Sequence, residues 1–65
     1  MTYDLVKETK RAIAAELKLQ QCYREMSTKS DNPKVRAVIH DLLLMEEMNE
    51  VLLRSLNHSL SSLRS

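Results

Sequence analysis

The one proline of this chain, Pro33, constrains it most, because no glycine occurs anywhere to interrupt the polypeptide elsewhere. Glycine and proline are the residues least compatible with a helix interior, so long helical runs are expected on either side of Pro33. The first runs from about residue 3 to 28, with Thr2 as its N-cap. Lys29, Ser30, Asp31 and Asn32 form a turn at 29–32; Asn32 or Asp31 caps the next helix, and Pro33 suits its first position. The second helix then runs from 33 to about 62. So short a connection joins antiparallel neighbours, and residues 1–65 read as one all-α domain, an antiparallel two-helix hairpin.

Each helix carries an apolar stripe at three- and four-residue steps, and each stripe contains an acid. In the second helix the stripe is Val35, Val38, Ile39, Leu42, Met45, Leu53, Leu56, Leu60 and Leu63. At 100° per residue, Glu46 lies within about 20° of Ile39 and Leu53, and Asn49 falls in the same arc. In the first helix the stripe is Leu5, Thr9, Ala12, Ile13, Glu16, Leu19, Tyr23 and Met26, again with a carboxylate at its centre. Glu8 and Glu25 differ, because Arg11 and Lys29 stand three and four residues on, the spacing of solvated ion pairs. Glu16 and Glu46 have no Lys or Arg on the inner arc. Both lie about 18–20 Å from the turn at 1.5 Å per residue, so two inward carboxylates arrive at one height.

A single hairpin leaves its inner face open on one side, so a second copy packed about a twofold axis is expected to close a four-helix bundle. Four acids, Glu16 and Glu46 from each chain, would then converge, and a dry core tolerates them only with protons or cations. Two divalent ions would neutralise them.

Composition narrows the alternatives. The net charge of +1, with both signs interspersed, argues against a nucleic-acid surface. No run approaches the length of a membrane span, no signal peptide is visible, and a single cysteine suits a reducing compartment, so the expected location is cytoplasmic. Cys22, at the edge of the first stripe, reads as a small buried hydrophobe. His40 and His58 lie far around the helix from Glu46 and read as solvated. Leu44, Met48 and Val51 make a second apolar strip on the outer side, which suggests an assembly larger than a dimer.

The pattern Glu16-x6-Tyr23, Asp31-Asn32-Pro33 and Glu46-x-x-Asn49 resembles the ferritin-like di-iron proteins, over roughly residues 8 to 56. It is most similar to the two-helix half-ferritins of the encapsulated type, and more distantly to rubrerythrin. The resemblance implies a hairpin that dimerises into a ferritin-like four-helix bundle, with rings of dimers above that. It also implies a di-iron site with ferroxidase or iron-storage activity. Glu16 matches the first-helix ligand, Tyr23 the aromatic seven residues on, and Glu46 the Glu of a Glu-x-x-His pair. Asn49 stands where that histidine would be, a weak neutral ligand in place of an imidazole, and Glu50 is the nearby acid that could substitute. Manganese or zinc are alternatives to iron. The tail Ser59–Ser65 has a faint likeness to peptides that dock cargo inside encapsulin shells, a location within a protein compartment.

Each residue also has a plainer reading. Glu16, Glu46 and Asn49 can serve as buried polar pins that fix register, Tyr23 as a core aromatic, and Met26, Met45 and Met48 as gap-fillers. On that reading the protein is a non-catalytic helical-hairpin dimer, a scaffold or adaptor with a degenerate site.

Overall fold

In the computed structural model, which describes residues 3–64, two helices account for nearly the whole chain. Helix α1 spans Leu5–Lys29 and helix α2 spans Pro33–Arg64, packed against each other as an antiparallel hairpin. Among the described residues neither helix is long and apolar enough to cross a membrane.

The helix ends follow from local chemistry. Thr2 lies outside the described residues, and Asp4 is the N-cap of α1: its backbone is extended and its Oδ1 accepts the Lys7 amide at 3.1 Å. That satisfies one of the four amides a helix start leaves without partners. At the other end Ser30 is already extended, and its hydroxyl accepts the Asn32 amide at 3.3 Å. Between the two capping candidates the structure selects Asn32, whose Oδ1 accepts from Lys34 at 2.9 Å and Val35 at 3.2 Å. Pro33 follows at the first helical position, where its missing amide hydrogen costs nothing. The serine-rich end of α2 continues as helix to Arg64, two residues past the expected limit.

The hairpin is a slab one helix thick, 49 × 20 × 13 Å. Its radius of gyration is 15.2 Å, where a compact chain of this length would have about 11 Å. It exposes 5307 Å², whereas a folded monomer of this mass exposes about 4,200 Å². Among the described residues, Ile13 and Ile39 are the buried apolar side chains, and Thr9 and Gln20 are the buried polar ones. Thr9 turns its hydroxyl back onto the Leu5 carbonyl at 2.6 Å, which lets it sit in the seam without an unsatisfied donor.

Many residues expected inside are therefore exposed. Leu5, Leu19 and Met26 of α1, and Val35, Val38, Met45, Leu56 and Leu63 of α2, are all open to solvent in the single hairpin. The reason is geometric. Two helices meet along one line, which covers Thr9, Ile13 and Gln20 on one side and Ile39 on the other, while each stripe is wider than that line. At 100° per residue the uncovered halves of both stripes lie on the same side of the slab, forming one broad aliphatic face. Cys22, expected to be buried, is on this face and exposed, 4.0 Å from the Met26 sulfur. The outer strip of Leu44, Met48 and Val51 is likewise more than half exposed.

Because Asn32 alone caps α2 with two bonds, Asn32→Ala should cost about 1 kcal/mol of stability. Asn32→Asp should retain most of it. Urea unfolding followed by circular dichroism measures both; an Asn32→Ala variant as stable as wild type would show that the turn is held elsewhere.

Candidate functional site

The site is the middle of the seam. The antiparallel register places Glu16 of α1 beside Glu46 of α2, so the two acids expected at one height do meet there. Both are half-buried, and Glu16 Oε2 is fully screened from water with no hydrogen-bond donor. Ionised carboxylates are acceptors only, so a contact between two of them becomes a hydrogen bond only when one carries a proton. The bond to Glu46 is the chief reason the Glu16 carboxyl holds its proton above the ordinary carboxylate range. Removal from water adds to this, as do the negative charges of Glu46 and Glu50. Among the described residues, no cation opposes them.

One turn along α1, Gln20 is 2% exposed, the most buried residue described. Its Nε2 donates to the Glu46 carbonyl at 3.3 Å and to Glu50 Oε1 at 2.9 Å, and its Oε1 accepts from Arg24 at 3.3 Å. Arg24 also reaches Glu47 of α2 at 3.6 Å, and Arg54 pairs with Glu50 Oε2 at 2.8 Å. Glu50 is thus held on both oxygens. The Gln20 amide, then Arg54, lower its pKa against a smaller opposing effect of burial. Gln20 is polar and so falls outside the apolar stripe, which takes Leu19 instead; yet Gln20 lies only about 40° from Glu16, nearer the seam than Leu19 at about 60°.

The other expected site residues fall less centrally. Asn49 is exposed in the single hairpin, its Nδ2 3.5 Å from Glu46 Oε2, so its amide faces the carboxylate from the side of the open aliphatic face. Tyr23 is half-buried along the same face of α1 as Glu16. His40 is exposed and lines a shallow groove with Ser27, Pro33, Arg36 and Ala37; His58 is exposed near the far end of α2. Of the two acids expected in solvated pairs, Glu8 does bind Arg11, at 2.9 Å, while Glu25 accepts from Gln21 at 3.2 Å. Among the described residues of this one chain, no three His, Cys, Asp or Glu side chains converge as a metal-holding group.

Fold and site together define a helical hairpin with an acid pair at mid-seam, beside an uncovered aliphatic face. No protein-family model, no curated protein and no solved structure matches the chain.

The two shifted acids act on stability in opposite directions. Glu16 binds its proton more tightly folded than unfolded, so its contribution is full below the ordinary carboxylate range and is lost as pH rises through its raised value. Glu50 favours folding above that range and loses its contribution as pH falls through its lowered value. In chelator-treated protein the melting temperature should therefore rise on mild acidification from neutral pH, then fall in stronger acid. Glu16→Gln should remove the rise and leave the fall. A wild-type melting temperature that declines steadily from neutral pH downward would contradict this ordering.

Proposed function

We propose that this chain is one half of a ferritin-like four-helix bundle, a half-ferritin whose homodimer takes up ferrous iron between its acid pairs. Two hairpins related by a twofold axis would join their aliphatic faces, setting Glu16 and Glu46 of each copy around a common centre. The observation that carries this reading is the meeting of Glu16 and Glu46 at mid-seam, where, among the described residues, a buried Glu16 oxygen finds no donor and no cation opposes its charge. Either a proton or a metal ion would satisfy such a pair, and carboxylate oxygens suit divalent iron, manganese or zinc. The surplus exposed area, about 1,000 Å² above that of a compact monomer, matches the roughly 800 Å² each partner contributes to a standard interface.

Ferrous iron is the substrate here: two ions give up one electron each, together reducing O₂ or peroxide. The chain's own residues do the rest. Glu16 and Glu46 would hold and neutralise the ions. The flanking aliphatic residues Leu42 and Leu53 limit water at the site. Asn49 adds an amide at the edge in place of an imidazole, which weakens the ligand set. Rings of dimers and enclosure in a protein shell would be further levels of the same assembly.

A second reading is favoured by that amide. Asn49 donates to Glu46, and a shared proton alone can satisfy the acid pair, which makes both acids register pins of a structural dimer, a scaffold or adaptor.

Sedimentation at micromolar concentration should show a dimer or larger species, and a compact helical monomer would overturn both readings. Anaerobic calorimetry with Fe²⁺ separates them: the half-ferritin takes about one ion per chain, as a di-metal bundle site requires. Glu46→Leu should stay oligomeric, lose that binding and melt at a higher temperature than metal-free wild type. Asn49→His should tighten binding about tenfold or more. Failure of wild type and Asn49→His alike to bind, with the oligomer intact, would leave the structural reading.

A further inference from the structure

We propose that Gln20 is a positioning residue that limits each hairpin to two seam carboxylates by holding Glu50 away from Glu16 and Glu46. Glu50 is the third acid within reach. It stands one turn beyond Glu46, about 40° around the helix, and side chains so spaced are neighbours on a helix surface. Its charge already acts on Glu16. What restrains it is visible on both oxygens: the Gln20 amide at 2.9 Å and the Arg54 guanidinium at 2.8 Å.

The two restraints are unequal. Arg54 is 56% exposed, and an exposed pair within one helix is weak because water and salt screen it. Gln20 is buried, and both of its amide hydrogens are used, one on Glu50 and one on the Glu46 backbone carbonyl. A buried amide bonded to a charged group is the stronger tether, since breaking it leaves a donor without a partner. Its second bond fixes the same amide to the residue that carries the site acid, so Glu46 is located and Glu50 withheld by one group. Arg24, bonded to the Gln20 carbonyl oxygen, keeps the amide from turning over. The restraint on Glu50 stands on this geometry alone; its consequence for metal rests on the half-ferritin reading.

The test replaces Gln20 by Met, which keeps the length and removes the amide. In the metal-free oligomer, Glu50 should change side-chain rotamer by three-bond couplings, and NOEs between the Glu50 and Glu16 methylenes should strengthen relative to wild type. Arg54→Leu should leave both unchanged. Should Gln20→Met fail to fold, Gln20→Asn withdraws the amide by one methylene and should give the same NMR result. With Mn²⁺ as the probe, calorimetry should show the Gln20 variant binding about tenfold tighter than wild type, the scale of a repositioned supporting group. Adding Glu50→Gln should return the affinity to the wild-type value. Unchanged Glu50 couplings in the Gln20 variants would overturn the proposal, as would a freed Glu50 that leaves Mn²⁺ affinity at the wild-type level. A freed Glu50 with no Mn²⁺ binding by either protein would uphold the restraint and remove the half-ferritin reading instead.

Discussion

Two helices lying side by side touch along a single line, and nearly everything about this protein follows from that. The contact buries Ile13 of α1 and, at a different height along the seam, Ile39 of α2, with little other apolar surface, so the hydrophobic term that ordinarily dominates folding is largely unspent in one hairpin. The rest of the aliphatic residues form a face on one side of a slab 13 Å thick. A chain with this shape leaves that surface uncovered, and in the proposed dimer another copy would supply a face of matching chemistry.

With so few apolar contacts along the seam, polar groups decide the register. Thr9 is satisfied within its own helix, whereas Gln20 crosses to α2 and fixes a particular residue opposite itself. That bond, one turn from Glu16, is what brings Glu16 to Glu46. A slip by one turn would strand the Gln20 amide in a buried position and separate the acids. Buried polar groups serve a comparable purpose in helical assemblies, where they cost stability and define one arrangement among several.

The acid pair itself carries two chemistries that differ in one particle. A single proton between Glu16 and Glu46 leaves a hydrogen-bonded pin with one negative charge; a divalent ion would neutralise the pair and make it a binding centre. The surrounding charges do not choose between them, because the nearest cations are already engaged: Arg24 with Gln20 and Glu47, and Arg54 with Glu50. In the proposed half-ferritin, Asn49 would weaken metal binding relative to an imidazole, and the Gln20 tether on Glu50 would act the same way. The site is therefore acid-poor by local construction, and a second chain is what would double it.

The sequence alone determined the two helices, the turn at Asn32-Pro33 and the meeting of Glu16 with Glu46. All three depend on local chemistry and on a rise of about 1.5 Å per residue, which carries through any straight helix. It also placed both acids on the inner arc, because helical period is set by backbone geometry. What it could not determine was how wide a sector each helix would bury. Period gives direction to within a stripe, while the line of contact is narrower, and only packing showed that Leu19 and Met45 lie outside it and Gln20 inside. The fate of Glu50 was decided in the same way: its tether joins residues of different helices, and the side chains across a seam are neighbours only once the two helices have docked in one register.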